Sequence, residues 1–234
     1  MTMMQKSLYK CSKCKDTGWI LKTGENGAPV AKSCECRKRN LSVNQWQNSG
    51  LNAENSRLTF KNFIEWNESS RVAKTAAIAY FKNFDVIRHE RHNSIIFCGQ
   101  PGSGKTHLAV ALAINFMKKN KRVIYMPYRT IITEMKQNIL DFNYYKKIIL
   151  KYETCEILLI DDLFKGKISE SDLNIIFEII NYRYVNYLPM IINSEFLIDR
   201  LLAFDEAIGS RIYEMCKEFV IEMEKNKENN FRLR

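Results

Sequence analysis

The run Gly99-Gln100-Pro101-Gly102-Ser103-Gly104-Lys105-Thr106 decides the fold of this 234-residue chain. Its spacing follows the G-x-x-x-x-G-K-S/T pattern of phosphate-binding loops. Glycines accept backbone angles that other residues avoid, so successive amides can turn inward around phosphate oxygens. Lys105 is predicted to place a positive charge at the outer phosphates, and the hydroxyl of Thr106 to ligate Mg²⁺. We expect every residue from Gly99 to Thr106, and the following His107, to contact ATP or ADP.

The sequence on either side of this loop supports the prediction. Residues 95–98 form an apolar run typical of a buried strand, and residues 106–119 carry apolar side chains at helical spacing. The loop would then open a helix, whose free N–H groups and dipole favour anions. The alternative is a glycine-rich turn that binds no nucleotide. We predict a strand, a phosphate-binding loop and a helix, in this order.

A second motif supplies two carboxylates at the end of another predicted strand. Residues 157–160 are apolar, and Asp161 and Asp162 follow them, with Asp161 lying 56 residues after Lys105. Ligands of open α/β sheets bind at the carboxyl ends of the strands. We expect Asp161 to join the Mg²⁺ shell through water and Asp162 to polarise the attacking water. Paired aspartates that simply begin a loop are the alternative.

Short apolar runs and longer helical segments alternate from about residue 50 onward. Strands are predicted over residues 95–98, 123–126, 157–160, 190–193 and 219–222. Helices are predicted over residues 69–88, over residues 106–119, and after Ser169, which forms a capping-box pattern with Asp172. This alternation predicts an α/β fold, with a mostly parallel central sheet flanked by helices.

Four of the seven cysteines lie close together near the N-terminus. Cys11 and Cys14, with Cys34 and Cys36, offer four thiolates for tetrahedral Zn²⁺. A short module has little core, and a bound metal would stabilise it. Because thiolates fill all four positions, the predicted role is structural; free or redox-active cysteines are the alternative. The remaining three are predicted to be core residues: Cys98, Cys155 and Cys216.

The chain is basic, with a net charge of +10. Residues 1–48 hold nine Lys and Arg against three acids, and residues 118–122 add a second basic cluster. This charge favours an anionic partner such as nucleic acid, or else it belongs to a solvated, lysine-rich surface. No run approaches the roughly 20 apolar residues that span a bilayer, and the first residues do not resemble a signal peptide. We therefore expect a cytoplasmic protein without a membrane partner.

The ordered set of motifs resembles the DnaC/DnaI-type replicative helicase loaders, AAA+ ATPases related to the IstB transposition helpers. The resemblance covers nearly the whole chain and rests on residues 11–18, 34–38, 58–63, 102–109, 159–163, 209–212 and 230–232. It implies an AAA+ P-loop NTPase. Together with a change of composition near residue 50, it divides the chain into a zinc-binding helicase-interaction module at 1–48, a linker at 49–62 and an ATPase domain at 63–234. Only 23 residues follow Arg211, so we expect little or no C-terminal helical lid.

The resemblance implies that the protein binds ATP and single-stranded DNA, self-assembles on a DnaB-type replicative helicase hexamer and delivers this ring to DNA during replication initiation. By residue match, Arg211 would be an arginine finger that reaches the γ-phosphate of a neighbouring subunit; without the family it is equally an exposed helix arginine. Arg232 matches the family's C-terminal arginine. The family's Thr-Ser-Asn-like triplet is replaced by Asn193-Ser194-Glu195. Either Asn193 senses the γ-phosphate, as a catalytic residue, or Glu195 replaces it and slows hydrolysis.

Single-stranded DNA contact is predicted for the basic run at 118–122 and for interleaved aromatic and basic side chains farther along the chain. These are Tyr128, Arg129, Tyr144, Tyr145, Lys146 and Lys147. Core or interface positions for the tyrosines are the alternative.

Two other functions fit the same loop. An IstB-like or other AAA+ regulator would assemble on duplex DNA, although the cysteine module argues against the transposase-helper branch. A metabolic P-loop kinase usually carries a substrate-binding lid with clustered arginines, and this sequence shows no such cluster.

Overall fold

The computed structural model describes residues 11–23, 27–36, 47–52 and 54–233. The predicted module at 1–48 and linker at 49–62 are therefore described only in part, and their boundaries stay predictions. None of the helices in the described ranges is long and apolar enough to cross a membrane.

A five-stranded parallel sheet forms the centre of the larger domain. Its strands are β3 (Ile95–Gly99), β4 (Val123–Pro127), β5 (Ile157–Leu163), β6 (Met190–Ser194) and β7 (Val220–Met223). Their order across the sheet is β4-β5-β6-β3-β7. Each lies within a few residues of its predicted position, so the predicted parallel α/β sheet is confirmed. The order separates the loop-bearing β3 from the aspartate-bearing β5 by one strand, β6.

The central strands are apolar on both faces because helices cover both faces. All five residues of β3 and of β6 are buried. Alternate side chains of β3 enter different cores: Ile96 and Cys98 lie in one, Ile95 and Phe97 in the other. Cys98, Cys155 and Cys216 are buried, which confirms their predicted core positions.

Seven helices flank this sheet in the described part of the chain. They are α1 (Glu68–Ile87), α2 (Lys105–Lys118), α3 (Tyr128–Gln137), α4 (Phe142–Thr154), α5 (Glu170–Val185), α6 (Ile198–Phe204) and α7 (Glu206–Cys216). Helices α1 and α2 pack on one face, and the other five contribute to the core on the opposite face. The predictions for α1, α2 and α5 are confirmed, and Ser169 with Asp172 forms the predicted capping box.

Chain segments outside the sheet also pack on the core of α1 and α2. Leu51 is buried in it, and Leu58 and Phe60 lie against it. After β7, residues 224–233 contain two 3₁₀ turns, Lys227–Asn229 and Phe231–Leu233, and no helical lid. Both segments reach the phosphate-binding loop, as described below.

The cysteine-bearing region is a separate antiparallel hairpin of β1 (Trp19–Thr23) and β2 (Pro29–Ser33). Its buried residues in the described part are three cysteines, with Cys11 and Ile20 packed against them. The hairpin was not predicted as strands, because its turn residues indicated only a loop.

Candidate nucleotide-binding site

The phosphate-binding loop joins the end of β3 to the start of α2. The ammonium of Lys105 donates to the carbonyl oxygens of Gly99 and Gln100, at 2.8 and 2.7 Å. The Ser103 hydroxyl also donates to the Gln100 carbonyl, at 2.8 Å. Burial lowers the pKa of Lys105. The loop backbone thus folds back on the Lys105 ammonium, at the N-terminus of α2.

Three residues from three elements meet below the loop. The Thr106 hydroxyl on α2 donates to Oδ1 of Asp161 on β5, at 3.0 Å. The side-chain amide of Asn193, on β6, donates to the same carboxylate oxygen and lies 3.5 Å from the Thr106 hydroxyl. A hydroxyl and a carboxylate are hard oxygen ligands, which suit Mg²⁺. Thr106 and Asp161 could therefore hold this ion, with Asn193 fixing the carboxylate.

Tyr125 is a site residue that the sequence reasoning missed. From β4, its hydroxyl donates to Oδ2 of Asp161 at 2.7 Å. Burial, followed by the charge of Asp161, raises the pKa of Tyr125, so the phenol remains a donor. Both oxygens of Asp161 are thus held by neighbours.

A β-bulge gives the two aspartates opposite directions. Ile160 pairs with Ile192, but Leu163 pairs with Ser194, so β5 carries one extra residue. Asp162 adopts a left-handed backbone with φ of 58°. Its amide donates to the Asn193 side chain at 2.7 Å. Asp161 is buried beside Thr106 and Asn193, whereas Asp162 lines the cavity.

A cavity of about 280 Å³ lies over the loop. Its walls are formed by Leu58, Asn62, Phe63, Ile64, Trp66, Pro101, Gly102, Gly104, Lys105, Thr106, His107, Asp162, Lys165, Glu195, Phe231 and Arg232. One wall is aromatic and the other is charged. The aromatic wall and Lys165 were not predicted from the sequence as parts of the site, whereas Asp162 and Glu195 were.

The aromatic wall consists of Phe63, Trp66 and Phe231. The ring of Trp66 lies 5.6 Å from that of Phe63 and 5.1 Å from that of Phe231. A Cβ on Gly104, whose φ is 86°, would lie 2.8 Å from the Phe63 ring, so only glycine allows this contact. His107 hydrogen-bonds the carbonyl of Thr59 at 2.8 Å and thereby attaches the segment before Phe63 to α2.

The segment after β7 is hydrogen-bonded to the phosphate-binding loop. Gln100 uses its side chain to bond both the carbonyl and the amide of Asn226, at 2.6 and 3.1 Å. The Phe231 amide donates to the Gly102 carbonyl at 3.0 Å. A Cβ on Gly102 would lie 2.1 Å from the side-chain oxygen of Asn230. Arg232 follows and lines the cavity.

The charged wall contains Asp162, Lys165 and Glu195. The Lys165 ammonium lies 2.7 Å from Asp162 Oδ2 and 3.7 Å from Glu195 Oε1. Asn193 points to Asp161 and Thr106, while Glu195 lies on the cavity wall beside a cation. The roles of both residues remain predictions.

Arg211 lies on α7 and is not among the described residues that line the cavity. Its guanidinium donates to the Asn181 side chain at 3.0 Å and to the Ala207 carbonyl at 2.7 Å. It also lies over the rings of Phe177 and Tyr184. Its predicted role as an arginine finger toward a neighbouring subunit stays a prediction.

The predicted DNA-binding side chains differ in their exposure and in their contacts. Tyr128 is 1% exposed, so its prediction as a base-stacking residue is wrong: the ring is part of the core. Tyr144 and Tyr145 donate their hydroxyls to Glu134 and Glu178, at 2.5 and 2.7 Å. These two tyrosines are half-buried. The basic run at 118–122 is partly neutralised, because Lys119 pairs with Asp85 and Lys121 pairs with Asp85 and Glu156.

The four N-terminal cysteines are brought together as predicted. Their sulfur atoms all lie within 4.8 Å of one another. Zinc–thiolate bonds of about 2.3 Å in a tetrahedron place the sulfurs about 3.8 Å apart. The Sγ distances of Cys11–Cys34 and Cys14–Cys36 are 3.8 and 3.3 Å. Hydrogen bonding to the Cys14 backbone lowers the pKa of Cys11 to about 7, whereas hydrogen bonding to the Cys14 side chain raises the pKa of Cys36. The cluster could hold Zn²⁺.

Comparison with known proteins places the chain in a family. The family model of IstB-like ATP-binding proteins matches residues 43–213. YqaM of Bacillus subtilis (strain 168) is 38% identical over 199 residues, which cover 82% of this chain and 63% of YqaM. The phage-like element PBSX protein XkdC of the same organism is 34% identical over 223 residues, which cover 92% of this chain and 82% of XkdC.

A solved structure extends the comparison to three dimensions. The crystal structure of the DnaC helicase loader superposes with a TM-score of 0.63 at 25% identity, covering 74% of this chain and 99% of that chain. The match agrees with the five parallel strands and with the loop between β3 and α2. The chain has the AAA+ P-loop fold, and it belongs to the family of IstB-like ATP-binding proteins.

Proposed function

We propose that this protein is an ATP-dependent loader that binds a DnaB-type replicative helicase hexamer and delivers it to single-stranded DNA. One observation carries the proposal: the phosphate-binding loop, an aromatic wall and Thr106, which hydrogen-bonds Asp161, line one cavity. The loader role is supported by the 25% identity to the DnaC helicase loader over 99% of that chain. The cysteine hairpin would contact the helicase.

We expect the base and the phosphates of ATP to contact different residues. The rings of Phe63, Trp66 and Phe231 suit a nucleobase, since aromatic faces stack on bases. The loop amides and Lys105 would hold the phosphates. Bound Mg²⁺, held by Thr106 and Asp161, would neutralise phosphate charge.

Hydrolysis would require residues on both sides of the site. Asp162 faces the cavity and would orient the attacking water, while Asn193 holds the backbone amide of Asp162 in place. Arg211 would complete the site of a neighbouring subunit, which makes turnover depend on assembly.

Nucleotide binding is tested with Lys105→Ala, compared with Lys118→Ala at the exposed end of the same helix. Loss of charge-assisted contacts predicts about 10- to 100-fold weaker binding of MgATP and MgADP for Lys105→Ala alone. Fluorescent nucleotide titration of the folded full chain measures this. Wild-type protein that binds neither nucleotide would refute the proposal.

Loading is tested by native mass spectrometry of the full chain with a replicative helicase hexamer, with and without MgATP. We expect an assembly that needs the helicase and that collapses when a zinc chelator is added. Single-stranded DNA should join this assembly, with affinity that falls as salt rises.

A second function, an IstB-like regulator that assembles on duplex DNA, is favoured by the family model over residues 43–213. It predicts ATP-dependent oligomers on duplex DNA and no capture of the helicase. The same experiment therefore separates the two functions.

A further inference from the structure

The loop after β5 fixes a lysine at the rim of the cavity. The Lys165 amide donates to the Asp162 carbonyl at 3.1 Å, which closes a turn. Between them Phe164 is 2% exposed and packs against the rings of Tyr128 and Phe204, at 5.8 and 5.1 Å. Because Phe164 is anchored in the core, the backbone that carries Lys165 has little freedom. The lysine is held at the site by its loop.

Two acids set the direction of this side chain. The ammonium pairs with Asp162 at 2.7 Å and with Glu195 at 3.7 Å. Hydrogen bonding to Asp162 raises the pKa of Lys165, so it stays charged. An ammonium has three donor hydrogens, and Glu195 lies beyond hydrogen-bond distance, so donors remain for another anion. The side chain is about half exposed, at 49%, and lines the cavity.

The sheet order indicates which part of a nucleotide this cation would meet. Strand β5, which carries Asp162, and strand β6, which Glu195 directly follows, lie on one side of β3. Strand β7, which precedes the segment with Phe231, lies on the other side. If the base stacks on the aromatic wall, the phosphate chain runs across the loop toward the opposite wall. Its far end then approaches Lys165.

We propose that Lys165 binds the terminal phosphate of ATP and makes the site prefer ATP to ADP. The inference rests on the proposed nucleotide binding. Alone, Glu195 would repel this phosphate, and Lys165 offsets that repulsion through their ion pair. The contact to Asp162 also holds the proposed water-orienting carboxylate beside the phosphate that is attacked.

The test measures MgATP and MgADP affinities of full-length Lys165→Ala and Lys165→Gln by fluorescent nucleotide titration. Loss of a charge-assisted contact to one phosphate predicts about 10-fold weaker ATP binding and less than about 3-fold weaker ADP binding. Lys167→Ala is the matched control, since Lys167 is exposed on the same loop and its carbonyl, which the substitution keeps, accepts a hydrogen bond from Arg129. Circular dichroism confirms that each variant is folded.

Glu195→Gln provides the opposite change. It removes the repelling charge, so ATP binding should tighten, and Lys165→Ala combined with Glu195→Gln should bind ATP better than Lys165→Ala alone. Equal losses for ATP and ADP, or no loss, in both Lys165 variants would overturn the inference while wild-type binding upholds the proposed function. If the wild type binds neither nucleotide, both fail.

Discussion

The parallel sheet with its helices and the cysteine hairpin are stabilised by different forces. Strand β3 is buried along its whole length, whereas all five residues of β2 are exposed. The sheet is stabilised by the removal of apolar side chains from water. The buried part of the hairpin is a cluster of thiols, which gains little from that effect and much from a metal cross-link. One region should therefore fold without a ligand, and the other should not.

Metal removal should have the largest effect on this contrast. Structural zinc contributes on the order of 10 kcal/mol of binding free energy, which the hairpin would lose. A chelator, or Cys14→Ser with Cys36→Ser, should abolish the amide protection of β1 and β2 and leave that of β3 intact, as measured by hydrogen exchange. Retained protection in metal-free β1 and β2 would show that the hairpin folds by itself.

The reverse experiment removes apolar volume from the sheet. Phe97→Ala should cost about 3 to 5 kcal/mol of unfolding free energy, because Phe97 is fully buried on β3. Denaturant unfolding gives this value, and metal analysis should show full zinc content. Phe142→Ala, at an exposed position, is the control and should change little. Zinc loss in Phe97→Ala would mean that the two regions are coupled.

Tyr125→Phe changes the candidate site but should leave both the core of the sheet and the cysteine cluster unchanged. It deletes the hydrogen bond to Asp161 and keeps the ring, so we expect a loss of about 1 kcal/mol, or about fivefold in the Mg²⁺ dependence of ATP binding. Thermal unfolding and zinc content should match the wild type. An unchanged Mg²⁺ dependence would remove Tyr125 from the site.

The smallest expected effect is on pH dependence. Burial lowers the pKa of His107, more than the Thr59 carbonyl raises it, so the folded protein favours the neutral ring. The stability gained from the neutral ring is complete above the ordinary histidine pKa of about 6.5. It is lost as the pH falls through the lowered pKa of His107. Hydrogen exchange of the Phe63 amide, from about pH 7.5 to about pH 5.5, should therefore show loosening that is weaker in His107→Gln. His89→Gln, at an exposed position, should behave as the wild type.

Local patterns predicted the frame of this protein well. The five parallel strands follow from apolar runs that are too short for helices, and α2 follows from the loop that it begins. The convergence of Thr106 and Asp161 could be predicted because both follow strands of one sheet, at its carboxyl edge. The cysteine cluster followed from ligand spacing.

The missed features depend on contacts between distant segments. Tyr125 lies in a predicted apolar strand, and nothing in the local sequence indicates that its hydroxyl reaches Asp161 on the neighbouring strand. The aromatic wall joins Trp66 to Phe231 across most of the chain. Tyr128 was misjudged because a tyrosine beside an arginine has the same local pattern on a surface and in a core. Its burial depends on how α3 packs.

The bulge in β5 places the neighbouring residues Asp161 and Asp162 in different environments. Asp161 is surrounded by partners on every side, so one additional methylene would have to displace Thr106, Tyr125 or Asn193. Asp162 faces the cavity, where its carboxylate meets only the half-exposed Lys165 ammonium among the contacts described above. Replacement of aspartate by glutamate should therefore disturb folding more at the first position than at the second, where the expected cost is to the proposed positioning of water rather than to packing.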